Sequence, residues 1–294
     1  MKAFVSFSGG KDSQACLIWA VKTWGQKVEA VFCDTGHEHP LTYIHVQEVC
    51  DQLGVALHTL KSKKYAGFGD MSIQKGRFPS TKARFCTEEL KIKPMVDFVL
   101  SQETDLLVIQ GIRKDESNSR SKMEEQCHYF KGWIEPYGKD KKGRPRFNTY
   151  RKKDVLIHME RYSSTIMRPI FDWTSQDVIN YILENNQKPN PLYYKGFSRV
   201  GCFPCIMCRQ SELKLIIEKY PEHIDKIKEW ESGMEKKDRH FFPPNYIPKR
   251  AMTNRIWPTT DDVVKYIKGK NETIEVFEEP EGDGRCMSYY HLCE

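Results

Sequence analysis

Phe4-Val-Ser-Phe-Ser-Gly-Gly-Lys-Asp-Ser13 joins two runs of different character across a pair of glycines. Ahead of the glycines, Ala3, Phe4, Val5 and Phe7 are apolar, β-branched or aromatic, so residues 2–7 read as a short buried strand. Behind them, Ala15, Leu17, Ile18, Ala20 and Val21 suit a helix over residues 14–23. Between the two lie Ser8, Gly9, Gly10, Lys11, Asp12 and Ser13. Two glycines permit a sharp turn and a close approach to a ligand. Successive amides at a helix start bind anions; Lys11 adds a positive charge, and Ser8 and Ser13 add hydroxyl donors. We expect a phosphate cradle here. It is not the Walker loop, because the GxxxxGK[ST] spacing is absent. The plain alternative is a turn in which Asp12 or Ser13 caps the helix.

The pattern repeats downstream. Residues 28–32 and 56–60 read as strands, 41–53 as a helix, 91–100 as another helix and 106–110 as a fourth strand. Such alternation predicts an α/β fold with a doubly wound, mostly parallel sheet. Right-handed crossovers then bring the loops after the strands to one edge, where ligands bind. The cradle, Asp34-Thr-Gly36 and Gly111-Ile-Arg113 all follow strands, so topology alone brings them together. Residues 131–153 break the rhythm with a turn-rich tip, Gly138-Lys-Asp-Lys-Lys-Gly143, and read as a hairpin. Thr174 or Ser175 caps a helix over 176–184, 212–237 is strongly helical, and a short helix lies near 260–267. We therefore expect a nucleotide-binding α/β domain over 1–188, with 131–153 as a basic hairpin insertion. A helical region carrying a cysteine cluster would come next, over 189–294.

The chain has 294 residues, a formal charge of +6 and 29% charged residues. Its mean hydropathy of −0.63 and the lack of any long apolar run speak against a membrane span. The cradle begins so near Met1 that we expect no targeting peptide, and hence a cytoplasmic protein. A disulfide framework is then not expected among the ten cysteines. Cys16, Cys33, Cys50 and Cys127 are scattered and read as core residues, whereas Cys202, Cys205 and Cys208 are spaced CxxCxxC, a metal-ligand pattern. A 4Fe–4S cluster, structural zinc or metal-free reactive thiols are the three readings. No nearby His-x-x-x-His pair completes a zinc finger. The cations Lys139, Lys141, Lys142, Arg144, Arg146, Arg151, Lys152 and Lys153 interleave with Phe147 and Tyr150, a mixture suited to phosphate contact and base stacking or to a solvated tip.

The SGGKDS spelling of the cradle resembles the PP-loop signature of the adenine nucleotide α-hydrolase superfamily. Further segments resemble its phosphoadenosine phosphosulfate (PAPS) reductase-like branch, in family order. They are Cys33-Asp-Thr-Gly36, Cys86-Thr-Glu-Glu-Leu-Lys-Ile-Lys-Pro94, Gly111-Ile-Arg-Lys-Asp-Glu-Ser117 with Arg120, Pro169-Ile-Phe-Asp-Trp-Thr174, and Asn190-Pro-Leu-Tyr193 with Gly196 and Gly201-Cys202. The resemblance implies a Rossmann-like fold that holds an adenine nucleotide on Ser8, Gly9, Gly10, Lys11, Asp12, Ser13, Asp34, Thr35, Gly36, Gly111, Arg113 and Arg120. Within that set it implies catalytic roles for Lys11, Asp12, Asp34 and Arg113. It also implies that Cys86, ahead of the LKxxP segment, joins Cys202, Cys205 and Cys208 around a 4Fe–4S cluster, with Cys286 or Cys293 as alternatives. Arg113 and Arg120 have the fork geometry for phosphate or sulfate oxygens.

Reductases of that branch carry a C-terminal Glu-Cys-Gly-Leu-His motif, and this chain ends Tyr289-Tyr-His-Leu-Cys-Glu294 instead. The departure points toward the ATP users of the superfamily. Our leading expectation is an iron–sulfur ATP pyrophosphatase, closest in type to DNA-phosphorothioation ATPases, working with Mg²⁺. It would cleave ATP to AMP and pyrophosphate and so activate a target, DNA or tRNA, for sulfur insertion, with a cysteine desulfurase as partner. The alternatives are a reductase that releases sulfite from PAPS or adenosine phosphosulfate (APS), and a nucleic-acid-binding or scaffold subunit with a degenerate nucleotide site.

Overall fold

The computed structural model of the chain describes residues 1–234 and 240–269. From its start the chain runs through β1 (Lys2–Ser6), α1 (Lys11–Trp24), β2 (Val28–Cys33), α2 (Pro40–Leu53), β3 (Leu57–Leu60) and α3 (Phe68–Gln74). There follow α4 (Phe85–Thr87), a π-helical turn (Glu88–Ile92), α5 (Lys93–Leu100), β4 (Leu106–Gln110), β5 (Gln126–His128), α6 (Lys131–Ile134), β6 (Gly138–Lys139) and β7 (Pro145–Arg146). The last elements are α7 (Lys152–Arg161), β8 (Ser164–Met167), α8 (Ser175–Glu184), α9 (Pro191–Tyr194), α10 (Gln210–Lys219), α11 (Pro221–Ser232) and α12 (Thr260–Gly269).

The main sheet has the order β3-β2-β1-β4-β8-β5. Every pairing is parallel except β5 against β8. β1 is flanked on both sides: Val5 registers with Ala30 of β2 and with Ile109 of β4. Strand order reverses between β1 and β4, the switch point where connections leave in opposite directions and open a crevice. The expected doubly wound α/β sheet is present, and the loops after β1, β2 and β4 all leave its carboxyl edge.

Both sheet faces are covered. Val5, Leu17, Val46, Ile109 and Ile182 pack into one apolar layer, and Phe4, Val31, Val96, Val108 and Trp133 into the other. This explains why β1 and β4 are unbroken apolar runs rather than alternating ones. A third cluster unites Phe68, Phe78 and Leu90 with Leu213, Ile227 and Phe242, so it draws on residues from both sides of position 188. Among the described residues, no helix is long and apolar enough to cross a membrane.

Several elements depart from the sequence reading. The helix expected over 212–237, of which 235–237 lie outside the described residues, is divided in its described part, because Pro221 starts α11 and cannot continue the hydrogen bonding of α10. The helix expected over 91–100 begins at Phe85 and carries the π turn. β5, α7 and β8 have no counterpart in the reading; β5 is a polar edge strand, Gln-Cys-His, with no apolar signal. Of the hairpin expected over 131–153, only the short β6–β7 ribbon forms; Lys131–Ile134 is helical and Lys152 already opens α7. Residues 275–283, Cys286, Cys293 and the Tyr289–Glu294 tail lie outside the described residues.

Candidate functional site

The cradle is built by its neighbours as much as by its own residues. Gly10 caps α1 in extended conformation without a side-chain hydrogen bond, so the first amides of α1 are left to other partners. Gly9 has φ +80°, and a Cβ there would meet Thr42 and Val46 at 2.9 Å. The Ser8 amide donates to Ser13 Oγ (3.2 Å), and Ser13 Oγ donates to the Gly10 carbonyl (3.0 Å), which locks the loop onto the helix start. Gly111, just past β4, lies so close that a Cβ would sit 2.5 Å from the Ser13 amide nitrogen. The glycine of the third loop is thus needed for contact with the first.

Asp12 sits between two cations. Arg113 Nε donates to Asp12 Oδ1 (2.5 Å), and Lys11 Nζ donates to Asp12 Oδ2 (3.2 Å). Arg113 is buried, and its amide donates to Glu116 Oε2 (3.2 Å). Arg120, also buried, donates to the same carboxylate oxygen. Asp34 Oδ1 accepts from Tyr43 Oη (2.7 Å) and from the Gly36 amide (2.8 Å), and Lys61 pairs with Oδ2 at 3.1 Å. Burial opposes the charge of Asp34, but these hydrogen bonds outweigh it and hold the carboxyl below its usual range.

The four expected metal-site cysteines and the cradle face one cavity of about 180 Å³. Ser8, Gly10, Lys11, Asp12, Ser13, Thr35, Gly111 and Arg120 line it from the sheet edge, and Cys86, Cys202, Cys205 and Cys208 from the other side. Gly9, Asp34, Gly36 and Arg113 stand outside that lining. Thr35 Oγ1 joins the two walls, lying 2.7 Å from Glu38 Oε1 and 3.7 Å from Cys202 Sγ. A β-bridge pairs Glu38 with Cys202, and the Phe203 amide donates to the His37 carbonyl (2.7 Å). His37 Nε2 lies 2.9 Å from the Pro204 carbonyl, and complete burial pushes the imidazole down to about 3. Burial also pushes the thiols up, Cys86 to about 11 and Cys202 to about 12.

Among the described residues, no three His, Cys, Asp or Glu side chains are close enough to hold one metal ion. A 4Fe–4S cluster makes a different demand, since each thiolate binds its own iron and the four donors are spread over a cube. The cavity lining supplies four thiols, the number of donors such a cluster takes.

Sequence reasoning passed over Tyr193 as a site residue. The Lys11 amide donates to its phenol oxygen (3.0 Å), so the phenol hydrogen is left for the cavity. Asn190 Nδ2 reaches the Gly9 carbonyl (3.2 Å), and Leu192 is fully buried. The Asn-Pro-Leu-Tyr spelling was the available signal: it is the segment that closes over the cradle. Glu116, Arg84, Lys91 and Arg199 also line the cavity.

The model of the phosphoadenosine phosphosulfate reductase domain matches residues 2–208. An uncharacterized 37.8 kDa protein of Escherichia phage 186 is 32% identical over 298 residues, covering 84% of this chain and 80% of its own length. An uncharacterized protein of Methanocaldococcus jannaschii is 31% identical over 83% of this chain, which spans 44% of that relative. The adenosine 5'-phosphosulfate reductase of Streptomyces coelicolor is 25% identical over 60% of this chain and 61% of its own. The solved PAPS reductase of Candida auris superposes with a TM-score of 0.46 at 19% identity, over 70% of this chain and 83% of that one. The matched span runs from the strand ahead of the cradle to the last of the three clustered cysteines, and the chain belongs to the phosphoadenosine phosphosulfate reductase domain family.

Proposed function

We propose that the protein binds ATP with its phosphates on Ser8 to Ser13, cleaves it to AMP and pyrophosphate, and thereby activates an acceptor for sulfur insertion. One observation carries this reading: the cradle and four cysteines line the same cavity. An acceptor oxygen, or water when no acceptor is bound, attacks the α-phosphorus, the bond from that phosphorus to the bridging oxygen breaks, and pyrophosphate leaves with the electron pair; a sulfur nucleophile then displaces AMP from the adenylated acceptor. The cradle amides, Lys11 and Arg120 offset the charge that develops. Asp12, gripped by Arg113, fixes where the Lys11 ammonium can reach. Tyr193 offers its phenol hydrogen to a phosphate oxygen. Mg²⁺ would accompany the nucleotide.

Cys86, Cys202, Cys205 and Cys208 would hold a 4Fe–4S cluster. When bound, it would supply a centre for carrying sulfur or electrons. A nucleic acid as acceptor and a cysteine desulfurase as sulfur donor complete the proposal. A second reading is reduction of APS or PAPS to sulfite, favoured by the name of the Streptomyces coelicolor relative.

Protein purified without oxygen should contain about four irons and four sulfides per chain. With ATP and Mg²⁺ it should release pyrophosphate, and Asp12→Asn should lower the rate at least ~100-fold. Sulfite release from APS with thioredoxin, without pyrophosphate from ATP, would overturn the first reading in favour of the second. Stoichiometric zinc would overturn the cluster.

A further inference from the structure

The face of the sheet that α5 covers changes character at its carboxyl end. Phe4, Val31 and Val108 lie in its apolar layer. Two residues further along each strand, the same face carries Ser6, Cys33 and Gln110. Ser6 and Gln110 are in register across β1 and β4. All three line a second, small cavity of about 30 Å³, together with Tyr129, which follows β5. Its roof is the π-helical turn, where the Cys33 thiol donates to the Lys91 carbonyl (3.7 Å). Ser8 and Lys91 belong to the linings of both this chamber and the reaction cavity, so the chamber lies directly behind the cradle wall.

Two polar atoms in this chamber are left over by the protein. Gln110 and Tyr129 are 4% and 2% exposed. Among the described residues, neither Gln110 Oε1 nor Tyr129 Oη has a hydrogen-bond partner. Burial, with a smaller contribution from the Cys33 thiol, raises the pKa of Tyr129, so its hydroxyl keeps the proton. One atom therefore needs a donor, and the other has a hydrogen to give. They do not bond to each other, and an orphaned buried polar group is costly enough that native interiors rarely keep one. A buried water needs roughly 10–15 Å³ and two or more polar partners, so the chamber has room for about two. The Ser6 and Ser8 hydroxyls stand in the same lining as further partners.

We propose that the chamber is a water site built into the fold: ordered water accepts from Tyr129, donates to Gln110 and supports the cradle wall from behind through Ser8. Ser8 then has a partner on each side, the Ser13 hydroxyl at 3.2 Å within the cradle and water behind it. The inference goes beyond the proposed function, since occupancy requires neither ATP cleavage nor a cluster.

The sign of two conservative substitutions tests the site. Tyr129→Phe and Gln110→Met keep the shape of the side chain and remove its polar end. With water bridging the pair, either change strands the water and the remaining partner. The unfolding equilibrium constant, from urea titration, should then rise about tenfold in each. In the double variant it should rise by less than the product of the two factors, because the second removal has no bridge left to break. In a dry chamber Tyr129→Phe would delete an orphaned hydroxyl and make the protein more stable, which would overturn the proposal. Two factors that simply multiply would also overturn it.

Should either variant fail to fold, high-resolution crystals of the wild type decide. Ordered water bonded to Gln110 and Tyr129 supports the site, and a chamber that takes up xenon instead is dry and overturns it. Support of the cradle has its own readout. α,β-Methylene ATP, which cannot be cleaved at the α-phosphorus, should bind Gln110→Met about fivefold more weakly in equilibrium dialysis. Unchanged affinity would overturn that support. A wild type that binds no nucleotide at all would count against the proposed function, while the unfolding data would still decide the water site.

Discussion

Gly111 is required by a neighbour more than by its own backbone. A methyl group at this position would meet the amide nitrogen of Ser13 at 2.5 Å, and the atom met is main chain that cannot swing aside. Gly111→Ala should therefore destabilise the protein by about 3 kcal/mol or more and loosen the cradle. Urea unfolding would measure the first effect, and at least tenfold weaker nucleotide binding in equilibrium dialysis would measure the second. His37 illustrates a different constraint. Its burial depresses the folded-state value to about 3, against about 6.5 when unfolded. Below pH 6.5 the unfolded chain binds a proton that the folded chain refuses, so stability is present above that pH and lost as it falls toward 3. At pH 5 the loss should reach about 2 kcal/mol from this residue alone. Denaturation at pH 7 and pH 5 should show that the pH-dependent difference shrinks by this amount in His37→Gln.

At the scale of elements, α1 and α9 form one device. Asn190 holds the Gly9 carbonyl and caps α9 through the Leu192 amide at 3.0 Å, which brings Tyr193 onto the uncapped start of α1. Tyr193→Phe keeps the ring and removes the partner of the Lys11 amide. It should lower kcat/KM for ATP cleavage about tenfold while changing stability by less than about 1 kcal/mol, as steady-state kinetics and thermal melts would reveal. Much of this level is legible in the chain itself. The apolar runs of β1, β2 and β4 are buried on both faces, so their composition alone marks them, and Gly-Gly marks the turn between β1 and α1. β8 is not legible in the same way. Its Ser-Thr-Ile-Met sequence is ordinary, and it is a strand because β4 lies beside it in parallel register. The π turn before α5 inserts one residue into a helix, and no local pattern announces an insertion. Tyr193 was readable only as part of a motif, because its partner lies 182 residues away.

At the scale of the molecule, two apolar clusters cover the faces of the sheet and a third lies among the helices. The third brings α10, α11 and α12 against α3 and the segment ahead of α5. Trp230 of α11 and Phe68 of α3 both pack on the His37 ring, at 4.9 and 4.8 Å. The distal helices therefore bear directly on the loop after β2. That loop is in turn clipped to the cysteine segment, through the Glu38–Cys202 bridge and the bond from Phe203 to His37. If this clip transmits, a change at the thiols is felt at the nucleotide wall, and thermodynamic linkage makes the influence mutual. If a thiol reagent lowers affinity for ATP by some factor, saturating ATP must disfavour equilibrium thiol modification by the same factor. Reversible disulfide exchange on Cys202 in cluster-free protein, followed with and without ATP, should display that symmetry. A factor of one in both directions would mean that the bridge joins the walls without transmitting between them.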